Sequence, residues 1–439
     1  MTNDRFLSCD DIQNSLYLAP NSVRVCCKRF FVNGVRKGDV ELLTIYNPID
    51  DLSPTKIYES KLKLIEIINT NTENVCSGCP YLRESDWGLP NLVPSNLSLE
   101  YHSICNLKCT YCSDVYYGGE RAKYNVQEFL KKIIDSNSCD KLKSIVWGGG
   151  EPFLDPDKEG VFNALEELLL CNPQISFRVF SNSLNYEKRF KSMLDKFNVY
   201  LTTSIDAGTE EVYKLIRGKN KLHKVLENLA KYAENKPHNI TIKYIFTELN
   251  STKWQVNEFV RLIQEYKLLP CNFQISVDFN MDLITVKNFE ACISLYNDLL
   301  ELGANAVFLD DLVWLRLRKF YQINRDKLQA KFKILEQKKM LARNLLGEDI
   351  IIWGAGGIGL DMIKNSIFLR QNKVVAFVDN RYQEIDGHLF NGLPVFPPSY
   401  LKSHKGYVII AAAQSYPSIL CDFENMGIDR ERLISGLVL

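Results

Sequence analysis

Three cysteines near residue 110 are spaced so that they could bind one metal cluster. Cys105, Cys109 and Cys112 form a CxxxCxxC segment. Three thiolates this close together can bind three irons of a cubane cluster, which leaves the fourth iron without a protein ligand. A zinc site usually has four ligands, or three ligands and water, and its cysteines usually come in separate CxxC pairs. The spacing therefore favours a four-iron four-sulfur (4Fe-4S) cluster with one iron open for chemistry.

The elements that would position this segment are six short β-like runs that alternate with helix-length amphipathic runs. The predicted strands are residues 97–101, 144–147, 175–180, 199–204, 240–246 and 273–279. This alternation implies parallel strands with helical crossovers. The polar and glycine-rich segments follow the strand ends, where parallel barrels gather their functional residues. We therefore predict an α/β fold built on a partial (β/α)6 parallel barrel.

Polar residues that could contact a cofactor follow the second, third and fourth predicted strands. They are Gly149, Gly150 and Glu151 of a GGEP segment, Ser181 and Asn182, and Ser204 and Asp206 with Arg217 further along. Glycines let the backbone approach a ligand closely, and a carboxylate complements an ammonium group. For any one of these segments, a turn or a helix cap is an equally good explanation. Their order along the chain is what points to a shared site.

With the cysteine triplet, this order of motifs resembles the radical S-adenosylmethionine (SAM) superfamily over roughly residues 96–280. The resemblance implies that the open iron chelates SAM and passes it one electron, which yields methionine and a 5′-deoxyadenosyl radical. It also implies that Tyr111 lies near the adenine, that the GGEP segment contacts the SAM amino group, and that the later polar residues contact its ribose and carboxylate. A flavodoxin- or ferredoxin-type protein is the implied electron donor.

Five further cysteines precede the predicted barrel: Cys9, Cys26, Cys27, Cys76 and Cys79. A lone cysteine, a vicinal pair and a CxxC together resemble the auxiliary-cluster domains called SPASM or twitch, although those domains normally follow the barrel. An auxiliary iron–sulfur cluster, a zinc ion and packed thiols without a metal all remain open. If a cluster is present, Cys9, Cys76, Cys79 and one of Cys26 or Cys27 would be its four ligands.

A second glycine-rich motif lies near the carboxyl terminus. Gly354, Gly356 and Gly359 form GxGxxG between a predicted strand and a predicted helix, and Asp379 follows the next strand, where a ribose-binding acid is expected. The segment is short for a complete dinucleotide fold. It resembles the small Rossmann-like domains of nucleotide-sugar acyltransferases and saccharide-modifying methyltransferases, which implies a bound nucleotide or nucleotide sugar. A domain that only docks a partner is the alternative.

Composition limits the partners and the number of domains. The chain has 439 residues, and its 53 lysines and arginines balance its 53 aspartates and glutamates, so no electrostatic argument favours nucleic acid or an anionic membrane. The amino terminus shows no signal-like pattern, and thirteen cysteines are more typical of metal binding than of disulfides. We expect a cytoplasmic protein with four parts: residues 1–92 with the extra cysteines, a barrel at 93–310, a helical and solvated connector at 311–346, and a Rossmann-like domain at 347–439.

These observations predict an enzyme that cleaves SAM and abstracts a hydrogen atom from a small-molecule substrate. A nucleotide-linked sugar or a surface-polysaccharide precursor is the expected substrate. Two alternatives remain at this stage. One is a radical SAM maturase that modifies a peptide or protein, and the other is a non-catalytic iron–sulfur protein that senses redox state or binds a nucleotide.

Overall fold

The structure is a computed structural model that describes residues 5–27, 29–32, 35–70, 73–79, 81–112, 118–136, 138–281, 284–337, 347–413 and 415–434. The chain divides into two compact units, Met1–Thr203 with Lys214–Thr241 and Ser204–Tyr213 with Ile242–Leu439. No helix in the described ranges combines the length and the apolar character that a membrane span requires.

The first unit is built on a mostly parallel sheet. The strands of this sheet and of two separate antiparallel pairs are, in chain order, β1 (Phe6–Ser8), β2 (Ser15–Leu18), β3 (Ser22–Arg24), β4 (Arg29–Val32), β5 (Val35–Gly38), β6 (Glu41–Thr44), β7 (Arg83–Ser85), β8 (Asn96–Leu99), β9 (Ser144–Trp147), β10 (Ser176–Phe180) and β11 (Val199–Ser204). In the sheet the order is β11-β10-β9-β8-β2-β3-β6. Neighbours from β2 to β11 pair in parallel, whereas β3 and β6 are antiparallel additions. Strands β1 with β7, and β4 with β5, form separate antiparallel pairs.

This unit contains eight helices in its described residues, and the last five, α4 to α8, follow parallel strands. They are α1 (Asp10–Asn14), α2 (Pro48–Asp51), α3 (Pro54–Thr70), α4 (Val126–Asp135), α5 (Lys158–Cys171), α6 (Lys188–Lys196), α7 (Glu210–Arg217) and α8 (Leu222–Ala233), of which α7 crosses the division between the units. Helix α4 illustrates how sequence sets such an element. The Asn125 side chain caps its first turn by accepting the Glu128 N–H, and Phe129, Leu130 and Ile133 recur at helical spacing on its buried face.

The second unit contains three further strands and three helices before its carboxy-terminal part. They are β12 (Ile240–Phe246), β13 (Asn272–Val277) and β14 (Ala306–Leu309), with α9 (Lys253–Glu265), α10 (Val286–Glu301) and α11 (Asp311–Gln337). Strands β13 and β14 pair in parallel. The first turns of α11 are buried at Val313, Trp314 and Leu317, so this end of the predicted connector packs against the protein. The predicted solvated face at 326–346 lies outside the residues whose side chains the structure describes.

The carboxy-terminal part of the second unit is a small parallel sheet with helices. Its elements are β15 (Asp349–Trp353), α12 (Gly357–Asn365), α13 (Ile367–Arg370), β16 (Lys373–Val378), β17 (Leu389–Phe390), β18 (Leu393–Phe396), β19 (Tyr407–Ile410) and α14 (Tyr416–Asn425). The strand order is β17-β18-β16-β15-β19, and only β17 is antiparallel. Strand β15 lies between β16 and β19, and its residues Ile350 to Trp353 alternate between two buried cores. A run of apolar residues is typical of a strand covered on both faces.

The predicted mixed α/β fold with a parallel-strand sheet is confirmed. All six strands expected after residue 96 are present within about two residues of their predicted bounds. The amino-terminal strand β2 pairs in parallel with β8, which the sequence did not predict. The amino-terminal segment therefore extends the sheet on which the cysteine triplet depends.

Candidate cluster and cofactor site

The cysteine triplet lies in the loop that follows β8. Cys109 is buried, and Cys105 and Cys112 are half-buried. The Cys112 N–H donates to the Cys109 carbonyl at 3.1 Å, and the Cys105 sulfur accepts the Leu107 N–H at 3.4 Å. The pKa of the Cys112 thiol is raised, and the larger cause is a hydrogen bond with Cys109, with burial as the next. The loop thus holds its sulfurs close to one another.

The GGEP segment runs directly against the chain that leads into Cys105. The Gly150 N–H donates to the His102 carbonyl at 2.9 Å, and the Glu151 N–H donates to the Ile104 carbonyl at 2.7 Å. A Cβ atom at Gly150 would lie 2.3 Å from the Ile104 oxygen, and Gly149 has a φ of +91°. Only glycine fits both requirements, so these two residues are fixed by backbone packing beside the cysteine loop.

Glu151 is a buried carboxylate held by its neighbours. It is 2% exposed, and burial raises its pKa to about 7. One oxygen accepts the Ser181 hydroxyl at 2.7 Å, and the other accepts the Asn182 N–H at 2.7 Å. Each carboxylate oxygen can accept more than one hydrogen bond. Glu151 is therefore oriented and retains capacity for a cationic donor.

Asn182 connects this carboxylate to the cysteine loop. Its side-chain amide donates to the Asn106 side chain at 2.8 Å and lies 3.9 Å from the Cys105 sulfur. Asn106 was not predicted as a functional residue. Its position between two predicted ligands is the signal that could have identified it.

Arg217 brings a positive charge to the same loop. The last residue of α7, it is 5% exposed, and its guanidinium donates to the Tyr111 hydroxyl and lies 5.8 Å from the centre of that ring. The Thr110 N–H donates to the Ile216 carbonyl at 2.9 Å, which ties the loop to the end of α7. Burial raises the pKa of Cys105, and the charge of Arg217 acts against that rise.

These side chains fit a 4Fe-4S cluster with SAM as its ligand. Three cysteines supply the soft thiolate donors that an iron–sulfur cluster requires, and a cation lies near two of them. The buried Glu151 and the guanidinium of Arg217 offer opposite charges for an amino acid moiety. Residues from the loops after β8, β9 and β10 and from the end of α7 thus meet within the first unit.

Ser204 and Asp206 belong to the second unit, where Asp206 makes hydrogen bonds with neighbouring residues. Asp206 is fully buried, has a φ of 62°, and its carboxylate accepts the Ile245 N–H at 2.7 Å. Its backbone carbonyl accepts the Asn250 side-chain amide at 2.8 Å. Ser204 is half-buried at the end of β11. The contacts of Asp206 hold the chain beside β12.

Two glycines of the carboxy-terminal motif pack closely against neighbouring backbone, whereas the third has open space beside it. A Cβ at Gly354 would lie 2.9 Å from the Ala411 oxygen, and one at Gly359 would lie 2.4 Å from the Gly354 oxygen. Gly356, by contrast, precedes the first turn of α12 and would meet no atom within 4 Å. A ligand could therefore approach the amino end of α12 at this position.

Asp379 accepts one backbone N–H from the glycine motif and one from the turn that follows β16. One carboxylate oxygen accepts the Ala355 N–H at 2.9 Å, and the other accepts the Arg381 N–H at 2.8 Å. The residue is 8% exposed. The acid predicted to bind a ribose is thus also a positioning residue for the glycine loop.

Four of the amino-terminal cysteines share one small core. Cys76 is buried in it, and Cys9, Cys26 and Cys79 pack against it, whereas Cys27 is exposed and is not among its members. In the described part of the chain, no three cysteine, histidine or acidic side chains are arranged around a single metal ion.

Comparison with family models matches two parts of the chain. Residues 99–263 match the radical SAM superfamily, and residues 347–434 match the family described as C2185-like, N-terminal. The first range contains the cysteine triplet and the residues that surround it.

Individual similar proteins cover limited parts of the chain. A GTP 3′,8-cyclase of Aeromonas hydrophila is 26% identical over 140 residues, which are 30% of this chain and 40% of that protein. A putative glycyl-radical enzyme activating enzyme of Methanocaldococcus jannaschii is 36% identical over 95 residues, which are 22% of this chain and 33% of that protein. Streptococcus suis SuiB bound to the precursor peptide SuiA aligns at 16% identity and a TM-score of 0.39, over 49% of each chain. The chain thus spans less than half the length of these two curated relatives.

Proposed function

We propose that this protein cleaves SAM reductively at a 4Fe-4S cluster and uses the radical to abstract hydrogen from a substrate, because residues 99–263 match the radical SAM superfamily. Cys105, Cys109 and Cys112 hold the cluster in this proposal. The observation that carries it is the convergence of this triplet with the buried Glu151 and Arg217 in one unit. A sensor or a purely structural cluster has no need for an oriented carboxylate and guanidinium beside its cysteines.

Each group has a defined task in this proposal. When bound, the cluster supplies one electron to SAM, which divides into methionine and a 5′-deoxyadenosyl radical. Glu151, held by Ser181 and Asn182, accepts a hydrogen bond from the SAM amino group. Arg217 binds the SAM carboxylate through its guanidinium. Gly149 and Gly150 let the backbone approach the ligand without a side chain between them.

Tyr111 completes the cofactor contacts that we propose in the first unit, and the order of the sequence motifs adds Ser204 and a positioning role for Asp206. Tyr111 faces the adenine in this assignment, and its hydroxyl is positioned by Arg217. Ser204 offers a half-buried hydroxyl for the ribose. Asp206 acts through the backbone at β12, since its carboxylate accepts the Ile245 N–H. A flavodoxin- or ferredoxin-type protein supplies the electron in the cytosol, where the cysteines stay reduced.

For the substrate we propose a nucleotide-linked sugar, or a polysaccharide precursor of that kind. The first strand of the carboxy-terminal sheet, β15, lies inside the sheet between β16 and β19, an arrangement typical of Rossmann-like domains. Gly356 leaves the amino end of α12 open, and a helix amino terminus favours phosphate. The oxygens of Asp379 each accept one N–H and retain acceptor capacity for a sugar hydroxyl.

The SAM reaction is tested by anaerobic reconstitution with iron and sulfide, reduction with dithionite and incubation with SAM. We expect wild-type protein to release 5′-deoxyadenosine, measured by liquid chromatography and mass spectrometry. Cys109→Ala removes a cluster ligand and should abolish the product. Cys271→Ala alters a fully buried cysteine on the chain before β13 and should retain it. An iron-replete wild-type sample that forms no 5′-deoxyadenosine would overturn the proposal.

The substrate class is tested by equilibrium binding of uridine diphosphate sugars to the full chain. Gly356→Asp places a negative charge where the phosphate would lie and should weaken binding by more than about tenfold, since unfavourable charge contacts of this kind are worth at least 1.4 kcal/mol. Gln371→Glu adds the same charge at an exposed residue between α13 and β16, and should leave binding unchanged. Equal binding by both variants, or none by the wild type, contradicts a nucleotide site at this loop.

A further inference from the structure

Three polar side chains come together toward the carboxyl ends of neighbouring strands in the second unit. Lys243 is on β12, Ser276 is on β13, and Asp310 directly follows β14. The Lys243 ammonium lies 3.6 Å from one Asp310 oxygen, and the Ser276 hydroxyl donates to the same oxygen. The side chains of Lys243 and Asp310 are 23% and 16% exposed. The contacts that we assign to SAM and to the nucleotide use none of these three residues.

Lys243 projects from the face of β12 that is opposite α9. Side chains alternate between the two faces of a strand. Ile242 and Tyr244 are each 1% exposed, and the centre of the Tyr244 ring lies 4.9 Å from that of Phe259 in α9. Lys243, between these two residues, therefore points away from α9, and its partial exposure leaves it accessible to a ligand.

Lys243 is also the cross-strand neighbour of Ser204. The Ile205 N–H donates to the Lys243 carbonyl at 3.0 Å. In the hydrogen-bond pattern of parallel strands, this bond sets Ile205 opposite Tyr244, and both side chains are buried. The preceding residues, Ser204 and Lys243, are therefore opposite each other on strands about 4.8 Å apart. Because we assign Ser204 to the SAM ribose, a group bound by Lys243 would lie beside that ribose, whose 5′ carbon becomes the radical.

Asp310 is held in place by the start of α11 and by the end of β13. Its second oxygen accepts the Val313 N–H at 2.9 Å, which caps the first turn of the helix. Its own N–H donates to the Ile275 carbonyl at 3.0 Å. The Ser276 hydroxyl holds the oxygen that faces Lys243. The carboxylate is therefore fixed, and it positions the lysine.

The chemistry of this pair favours a neutral ligand that carries hydroxyl groups. An ammonium has three N–H donors, so one ion pair leaves Lys243 with donors for a ligand. Asp310 balances the charge of the lysine, and a neutral pair offers little attraction to a second anion. A hydroxyl group both accepts a hydrogen bond from an ammonium and donates one to a carboxylate. The pair therefore matches the adjacent hydroxyls of a sugar.

Helix α11 connects this cluster to the glycine motif of the carboxy-terminal part. Asp310 lies at its start, and Trp314 in its first turns packs in one core with Ala355 of the glycine motif. Further along, the Arg318 guanidinium pairs with both oxygens of Asp361 in α12, at 2.9 and 3.0 Å. At about 1.5 Å per residue, Asp310 and Arg318 are roughly 12 Å apart along the helix. The cluster and α12 thus belong to one packed unit.

We propose that Lys243, positioned by Asp310 and Ser276, binds the sugar hydroxyls of the substrate beside the ribose of SAM. The inference rests on the proposed function and deepens it, since the nucleotide stays at the amino end of α12. The contact of a partly exposed ammonium with a fixed carboxylate, on the strand next to Ser204, carries it. Lys243 thus presents to the radical the part of the substrate that loses hydrogen.

Equilibrium binding to the full chain separates the sugar contact from the nucleotide contact. The probes are uridine diphosphate and its glucose, galactose and N-acetylglucosamine derivatives. We expect the wild type to bind at least one sugar derivative about tenfold more tightly than uridine diphosphate. Lys243→Met should abolish this difference and leave the affinity for uridine diphosphate unchanged, because a hydrogen bond from a charged donor is worth about tenfold or more.

Two further variants show whether the effect belongs to this cluster. Lys253→Met alters an exposed lysine of α9 and should keep the wild-type difference. Asp310→Asn keeps a side-chain oxygen that can cap α11 but loses the charge that holds Lys243. In this variant the difference should shrink while the melting temperature stays close to that of the wild type. Unchanged affinity for uridine diphosphate shows that each variant is folded.

Deuterium transfer is a second readout of the sugar position. With SAM, a reductant and a nucleotide sugar deuterated on its sugar carbons, the wild type should break a carbon–deuterium bond and form 5′-deoxyadenosine that contains the deuterium. Lys243→Met should still release 5′-deoxyadenosine, but with much less deuterium, because the sugar is no longer held beside the ribose.

The outcomes separate this inference from the proposed function. Equal affinity of the wild type for uridine diphosphate and all three sugar derivatives, or a difference that survives Lys243→Met, would overturn the inference. Absence of 5′-deoxyadenosine with the difference in affinity intact would refute the SAM reaction alone. No binding of any uridine nucleotide would refute the nucleotide site and this inference together.

Discussion

SAM binding should weaken as the pH falls below 7, because Glu151 must be ionised to accept a hydrogen bond from the SAM amino group. Burial raises the pKa of this carboxyl from 4.5 to about 7 in the folded protein. Free SAM carries an ammonium group in this range, which must lose a proton to bind iron in the wild type and in a Glu151 variant alike. The contribution of Glu151 is therefore the part of the pH dependence that a Glu151 variant lacks. Below pH 7, binding has to displace a proton from Glu151.

The size of the effect follows from that pKa. At pH 7 about half of the free protein carries an ionised Glu151, and at pH 6 about one molecule in eleven does. The apparent dissociation constant should therefore rise roughly fivefold from pH 7 to pH 6. Each further pH unit should add a factor that approaches ten. Glu151→Gln loses the charge-assisted hydrogen bond and should bind at least about tenfold more weakly at pH 7.

Equilibrium dialysis of SAM against reconstituted protein without a reductant measures this directly, since no cleavage occurs without an electron. The Glu151→Gln variant should lack the roughly fivefold part of the change between pH 6 and pH 7 that Glu151 contributes, so its profile should be shallower than that of the wild type. Glu159→Gln alters an exposed carboxylate of α5 that pairs with Arg189, and should retain the wild-type profile. A wild-type dissociation constant that is constant across this range would refute the assigned role of Glu151.

Three further substitutions test the same site. Arg217→Lys cannot reproduce the guanidinium contact with Tyr111, so SAM affinity should fall about tenfold while iron content stays constant; unchanged affinity would argue against the assigned carboxylate contact. Asn182→Ala removes an N–H that lies 3.9 Å from the first cysteine of the triplet, so the SAM-sensitive cluster should become harder to reduce, and an identical potential in redox titration would contradict this. Gly150→Ala places a Cβ 2.3 Å from a backbone carbonyl and should lower the free energy of unfolding by about 1–3 kcal/mol. Gly356→Ala is the control, because its Cβ meets no atom within 4 Å. Equal melting temperatures of the two variants would contradict the tight packing at Gly150.

Much of the fold was accessible from the sequence because periodicity and strand-end motifs coincide. Residues 144–147 and 199–204 were predicted as strands with the bounds that the structure has. The short strands β2, β3 and β6 were not predicted, since runs of three or four residues give too little alternation. Their position in the sheet depends on pairing with β8, which is a contact distant in sequence.

The sequence supplied the candidate site residues and not their contacts. Spacing pointed to the cysteine triplet and the order of the motifs pointed to Glu151, but the Arg217 contact with Tyr111 joins residues 106 positions apart. The choice between Cys26 and Cys27 was open because adjacent residues share their chain position and differ only in their surroundings.

The central claim is that Cys105, Cys109 and Cys112 hold a cluster with one iron open to SAM. Electron paramagnetic resonance of the anaerobically reconstituted and reduced protein tests it most directly. We predict that adding SAM changes this spectrum at pH 7, and that the change is much weaker in the Glu151→Gln variant. A spectrum that is identical with and without saturating SAM would contradict the account.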